Sequence, residues 1–331
     1  VYDCVSGLIA LSRKNPYNVG ASEFNKVENM IAVLEELENQ LGIDESWNSK
    51  KADADGVSEL YFSIRNPKHQ IWWRNFQSYA DRINQCATVL EFGPMPDMDG
   101  VIKLKLKTAY FCHVRFCPVC AWRRVKKWQK RLLEAKPLIE SDFIKYRWIF
   151  LTLTVKNCDT TNLRETITHM NKGFVRLSQL KSFPAKGWIK SIEVTKGKVN
   201  DKAHPHIHAL LLVPPGYFKG GKYLSQEQWQ KLWRKSARLD YDPVIDVRAV
   251  KDREGSLIET VKYMVKSSDL KSDEEWLAEI TKQLFKTRAV SIGGKLRPYI
   301  REQEPSPDEP ECEENEGGEF RFWNKKQKKY L

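Results

Sequence analysis

Apolar and polar positions recur with two different periods along the chain, three-and-four in its first part and mixed with two from residue 148 onward. Phe24, Val27, Met30, Ile31, Leu34, Leu37 and Leu41 form a helical stripe. It predicts a helix capped by Ser22 and stopped at Gly42, its stripe used for core packing or, alternatively, a dimer contact. Residues 44–58 are polar and read as a loop, and a second helical stretch lies around Trp72–Leu90. WIFLTLTV (148–155) is β-branched and apolar, as a buried strand requires. A helix follows over Thr161–Leu180, through Leu163, Ile167, Met170, Phe174 and Leu177, then strands at Trp188–Thr195 and Ile207–Val213. Pro214-Pro215-Gly216 breaks the chain, and Ser225 with Gln228 forms a capping-box signature before Trp229, Leu232 and Trp233. Val244–Val250 is a further strand and Ser256–Lys266 a further helix. This order predicts an α+β fold, a mainly antiparallel sheet with flanking helices. The expected divisions are a helical region over 1–80, a cysteine module with a basic helix over 81–135, a catalytic domain over 140–300 and a flexible tail over 301–331.

Charge narrows the class of partner. Nine acidic and no basic residues between 302 and 319 leave an excess of +21 on the rest of the chain, against +12 for the whole. That stretch is also Pro-rich and reads as a disordered linker, ending in the aromatic-basic run FRFWNKKQKKYL. A basic body favours a polyanion, because Lys and Arg at phosphates release condensed counterions. There is no apolar run of membrane-spanning length and no basic amphipathic anchor, so nucleic acid is favoured over a membrane. The opening segment lacks a basic start and a small-residue cleavage site, and a cytoplasmic location is the expectation.

The densest chemistry lies in His204-Pro205-His206-Ile207-His208, which holds half of the six histidines. Strand residues alternate faces, so His206 and His208 project together while Ile207 points into the core. Two imidazoles on one face can share a cation, and His204 has the parity to add a ligand or a hydrogen bond. Glu193, which interrupts the apolar Ile192 and Val194, is the best candidate for a third ligand. A mixed His/carboxylate set suits Mn²⁺ or Mg²⁺, with Zn²⁺ chemically possible.

In GSLIETVKYMVKSS, a helical wheel gathers Leu257, Ile258, Val261, Met264 and Val265 on one face. Tyr263 falls opposite, with Glu259 one turn earlier and Lys262 and Lys266 beside it. A phenol has a pKa near ~10 and needs help to become a nucleophile; flanking lysines favour the phenolate and attract phosphate. Glu259 also stands where it could complete a capping box with Ser256.

The seven cysteines are an odd number and they cluster, which points to metal rather than a disulfide framework. Cys112, Cys117 and Cys120 have the spacing of a structural Zn²⁺ site, with Cys86 as the fourth ligand or His113 in its place. The following helix carries Arg123, Arg124, Lys126, Lys127, Lys130 and Arg131 with Trp122 and Trp128. Interleaved basic and aromatic residues suit phosphate contact and base stacking; the alternative is an amphipathic helix with its tryptophans turned inward.

Taken together, HPHIHALLLV (204–213) and ETVKYMVK (259–266) resemble the HUH endonuclease superfamily. With FLTLTV (150–155), IEVT (192–195) and YFCHVRFCPVCAWRR (110–124), the chain is more closely similar to the plasmid rolling-circle replication initiators of Gram-positive bacteria, over about residues 80–270. The resemblance implies a ferredoxin- or RRM-like core and a nicking domain over 140–300. It implies that His206, His208 and Glu193 hold a divalent cation, that Tyr263 attacks the scissile phosphate to leave a 5′-phosphotyrosine, and that Glu259 serves as general base for water at termination. Lys266 would stabilise the charge that develops. The implied partners are origin DNA, single-stranded or in a hairpin, and a host helicase and polymerase, since the chain carries no helicase motif; a homodimer is a further expectation. A transposase or mobilisation relaxase, a non-catalytic zinc-bearing DNA-binding protein and a small-molecule metallohydrolase are the competing readings.

Overall fold

The computed structural model describes residues 43–96, 102–197, 202–219, 221–250, 264–300, 307 and 318–331. The helix expected at Ser22–Leu41, most of the acidic stretch, and Glu259, Lys262 and Tyr263 lie outside these residues. Helix α1 (Ile43–Ser63), a 3-10 turn (Pro67–Trp72) and α2 (Trp73–Gln85) lead into the hairpin β1 (Val89–Pro96) and β2 (Ile102–Ala109). Then come α3 (Pro118–Asp142), β3 (Arg147–Thr154), α4 (Leu163–Ser178), β4 (Gly187–Lys196), β5 (Ala203–Val213), α5 (Gln226–Ser236) and β6 (Ile245–Ala249). A one-turn helix α6 (Ser267–Leu270), α7 (Glu274–Gln283), β7 (Val290–Gly294), β8 (Glu319–Asn324) and β9 (Lys329–Tyr330) follow, with short 3-10 turns at Thr160–Asn162 and Pro215–Phe218. The class is α+β, with a five-stranded sheet in the order β6-β3-β5-β4-β7 and a four-stranded one in the order β2-β1-β8-β9. The paired strands of both sheets are antiparallel among the described residues. Among the described residues no helix is long and apolar enough to cross a membrane.

β5 is the central strand of the larger sheet, and the register explains its composition. Ile207, Ala209 and Leu211 face a core built with Leu163, Ile167, Met170 and Phe174 of α4 and Trp229 and Trp233 of α5. Leu210 and Leu212 face the opposite way, against Trp128, Leu132, Ala135 and Ile139 of α3. A strand covered on both faces reads as a continuous apolar run, and each such side chain contributes about 1.5–3 kcal/mol. Pro205 is tolerated in this central strand because β3 ends opposite His206, so the amide position of Pro205 meets no partner strand there. The capping box at Ser225 is present, with Gln228 N donating to Ser225 Oγ at 3.2 Å.

Several expectations change. Residues 44–58 are helical, not a loop: α1 buries Trp47, Ala54, Val57 and Tyr61, but also Lys51, Asp55 and Ser58. Lys51 Nζ donates to the carbonyl of Asn84 at 2.8 Å at the end of α2, and Ser58 Oγ to that of Ala80 at 2.7 Å. Polar residues on its inward face hide the amphipathic pattern. The stretch expected helical to Leu90 turns at Cys86 and becomes β1 at Val89. Residues 264–266 are not helical, and Lys266 is extended. The end of the chain is not a flexible tail over 319–331: β8 pairs with β1, and Trp323 Nε1 donates to Asp55 at 2.8 Å. Boundaries at 80 and 135 would cut α2 and α3, because one apolar cluster runs from Trp47 to Leu284 and beyond to Tyr330.

Gly294 closes β7 with φ +62, and a Cβ there would lie 2.3 Å from the Lys186 carbonyl oxygen. Gly294→Ala is expected to cost about 1–3 kcal/mol. Urea unfolding checks this; an unchanged midpoint would mean that the backbone relaxes freely.

Candidate metal centres and nucleic-acid interface

The face of the larger sheet that α3 covers is apolar only at one end. Trp148, Phe150, Ile189, Leu210 and Leu212 pack there. Continuing along the same strand parities, the residues become Thr152 and Thr154 on β3, Ser191 and Glu193 on β4, His208, His206 and His204 on β5, and Asp246 on β6. Strand pairing sets them in rows: Asp246, Thr152, His208 and Ser191 in one, and Thr154, His206 and Glu193 in the next. The alternation of LTLTV carried the signal for the threonines; Asp246 had none.

His208 Nε2 lies 2.8 Å from Glu193 Oε2, and its Nδ1 lies 3.2 Å from Thr152 Oγ1. With Nε2 donating to the carboxylate, Nδ1 accepts from the threonine. The rings of His206 and His208 are parallel at 5.9 Å between centroids, and His204 is 4.2 Å from His206. His206 Nε2 turns toward Thr195 Oγ1 at 3.4 Å. The hydrogen bond with His208 holds Glu193 below the usual carboxylate range, against the effect of its burial and aided by Lys266 and the imidazoles. Burial, with its histidine neighbours, pushes His206 down to about 4, and burial also lowers His204. At neutral pH the face therefore presents an unprotonated imidazole at His206 beside an ionised carboxylate. That donor set fits a divalent cation, although one bound through His208 Nε2 would replace the proton now shared with Glu193.

Lys266 Nζ is 4.0 Å from Glu193 Oε1. One residue away on β4, Val194 N donates to the carbonyl of Met264 at 2.7 Å. The chain directly following Tyr263 is therefore tied to the strand that carries Glu193.

The four cysteines converge more tightly. The sulfurs of Cys86, Cys112, Cys117 and Cys120 all lie within 4.8 Å of one another, with Cys86–Cys120 at 3.5 Å and Cys112–Cys120 at 3.6 Å. Four thiolates at about 2.3 Å from a tetrahedral Zn²⁺ would stand about 3.8 Å apart, so the cluster fits one. Cys86 ends α2, the β1–β2 hairpin returns the chain to Cys112, and Cys117 and Cys120 open α3. Cys86 is thus the fourth member, and His113 is exposed. Hydrogen bonds from the other three thiols, helped by Arg124, favour the thiolate at Cys120, whereas burial raises Cys117.

The basic helix departs from expectation. Arg123 is buried with its guanidinium 5.7 Å from the Trp47 ring and 5.3 Å from that of Phe111. Lys127 and Trp128 are also buried, and Trp122 packs edge-on to Trp47 at 4.8 Å. Arg124 donates to the carbonyl of Arg115 at 2.8 Å, bracing the cysteine loop. Lys126 and Lys130 remain exposed and Arg131 half-buried. The amphipathic stripe of this helix faces two cores at once, so its tryptophans are packing residues rather than a stacking surface. Arg123→Ala is expected to lower stability by about 1–3 kcal/mol, where Lys126→Ala and Lys130→Ala change it by less than about 0.5. Denaturant midpoints check this; a fully stable Arg123→Ala with weakened DNA binding would return Arg123 to the interface.

A family model described as Replication protein matches residues 103–331. A Bacillus amyloliquefaciens protein named "Protein rep" is 34% identical over 273 residues, covering 81% of this chain and 77% of that relative. A "Protein rep" of Streptococcus pneumoniae serotype 2 is 31% identical over 281 residues, covering 82% and 83%. A Staphylococcus aureus "Replication protein" is 35% identical over 167 residues, covering 46% and 71%. No solved structure matches.

Proposed function

Because the chain belongs to the Replication protein family, we propose that it initiates rolling-circle replication of a plasmid by nicking one origin strand and remaining joined to its 5′ end. The observation that carries this reading is the His204-His206-His208 face closed by Glu193, on the strand that also anchors the residue after Tyr263. His206, His208 and Glu193 would hold Mn²⁺ or Mg²⁺, with His204 as a further ligand or hydrogen-bond partner. Such a cation, when bound, polarises a non-bridging phosphate oxygen of the scissile group.

The rest is done by the chain. The Tyr263 oxygen attacks phosphorus as its proton departs, the bond to the 3′-oxygen breaks, and that oxygen takes up a proton. A 5′-phosphotyrosine and a free 3′-hydroxyl result, and a host polymerase extends the latter behind a host helicase. One phosphodiester replaces another, so the joint stays reversible. Lys266, drawn toward Glu193, supplies positive charge beside the reacting phosphate. At termination Glu259 activates water, and cleavage then leaves no new covalent link. Zn²⁺ on Cys86, Cys112, Cys117 and Cys120 is structural in this reading, and the substrate is an unpaired origin segment such as an extruded hairpin loop.

The test is a labelled single-stranded origin oligonucleotide incubated with the protein and Mn²⁺ and run on a denaturing gel. A covalent adduct is expected, abolished by chelation and reduced in His206→Ala by more than about 10–100-fold, the cost of losing an outer partner of a metal ligand. A parent protein that binds the oligonucleotide yet forms no adduct would overturn the proposal.

A further inference from the structure

A sheet with one face on a core normally shows polar residues on the other. The smaller sheet does so only in part: Glu91 and Thr108 lie on its open face beside a run of large apolar side chains. Val89 on β1, Phe322 on β8 and Leu331, just past β9, stand side by side, paired by register and by mutual backbone hydrogen bonds of 2.8 and 2.9 Å between Phe322 and Leu331. Their side chains share a face and are 37%, 57% and 58% exposed; Phe320, two residues along on that face, is 55% exposed. The strand is pinned from its other side, where Arg321 is buried against the Phe92 ring at 5.2 Å and Trp323 is bonded to Asp55. The two phenyl rings are therefore held outward by a fixed register.

One end of this face is basic. The turn between β8 and β9 exposes Lys326 and Lys328, with Lys329 following on β9, while Lys325 is drawn toward Glu59 of α1 at 3.1 Å. Glu91, paired with Phe320 in the register, is matched by Lys107 at 3.1 Å, which cancels its charge. Rings rooted two residues apart on a strand are about 6.8 Å apart, twice the spacing of about 3.4 Å between stacked bases. Base faces are open to such rings only where DNA is unpaired.

We propose that the open face of the β2-β1-β8-β9 sheet is a binding site for single-stranded DNA, with Phe320 and Phe322 stacking on bases and the β8–β9 turn lysines on phosphates. It rests on the DNA-handling role proposed above and adds a site outside the histidine face, one that holds the displaced or extruded strand whatever its sequence.

The test uses the full chain and a fluorescein-labelled fifteen-residue thymidine oligonucleotide, which lacks any origin sequence, read by anisotropy. Phe320→Leu/Phe322→Leu keeps the apolar surface and removes the rings, and its Kd is expected to rise at least about 10-fold, while Phe320→Tyr/Phe322→Tyr binds as the parent does. Lys326→Ala/Lys328→Ala should flatten the slope of log Kd against log salt by about 1.4, at about 0.7 per phosphate. A leucine variant with parental Kd overturns the proposal, as does a tyrosine variant as weak as the leucine one. Sedimentation of each variant covers the other occupant: a parent dimer made monomeric by the leucine changes, with DNA affinity kept, makes the face a self-interface instead. Ring-dependent binding in a parent that forms no covalent adduct would sink the nicking reading alone.

Discussion

Tyr263→Phe is expected to abolish the covalent protein–DNA adduct while leaving oligonucleotide affinity within about twofold. The substitution deletes one oxygen and keeps the ring, so it removes the nucleophile without altering the charge at neutral pH. Loss of a covalent nucleophile costs several powers of ten in other enzymes, and here nicking should fall by at least about 10⁴-fold. Lys266 does not take over as nucleophile in this reading, because it stands beside Glu193 at 4.0 Å as that carboxylate's ion-pair partner. The readout is a denaturing gel with the labelled oligonucleotide, paired with anisotropy on the same sample. An adduct that persists in Tyr263→Phe, mapped by peptide sequencing to another tyrosine, would move the nucleophile elsewhere.

Cys112→Ser is expected to cost on the order of 5 kcal/mol or more and to release one equivalent of zinc. Structural zinc supplies about 10–16 kcal/mol in small domains that have no other core, and this chain has one. The loss remains large because the four sulfurs tie together the end of α2, the return of the β1–β2 hairpin and the start of α3. Tyr61 and Tyr330 are buried close by, with the Tyr330 hydroxyl bonded to the carbonyl of Ala87, next to Cys86. Loosening the cluster should therefore free the last strand as well as α3. Metal release measured against a chromogenic chelator, with a thermal melt before and after, checks both parts. Zinc removal that leaves the melting temperature unchanged would mean that packing alone holds the cluster.

The histidine face was legible because strand parity is local. HPHIH places three imidazoles on one side, and the SIEVT stretch of the next strand back supplies Glu193 opposite His206. The four cysteines were legible from spacing, since thiolates that share a metal need a short loop and one returning hairpin. Helix α1 was not legible, because Lys51, Asp55 and Ser58 turn inward to satisfy one another and the end of α2. Nor were the roles of Arg123 and Lys127: on a helix buried along two sides, charge in the sequence does not say which side meets water.

The sequence by itself determined the α+β order, the antiparallel pairing of the histidine strand and the donor types at both candidate metal centres. All of these follow from periods of a few residues and the chemistry of single side chains. Only the tertiary structure decided that residues 319–331 are strands, that Met264 is bonded beside Glu193, and that Phe320 and Phe322 face outward. Each depends on a partner more than sixty residues away in the chain, Val194 for Met264 and β1 for β8, and no local pattern encodes which distant edge a strand will join.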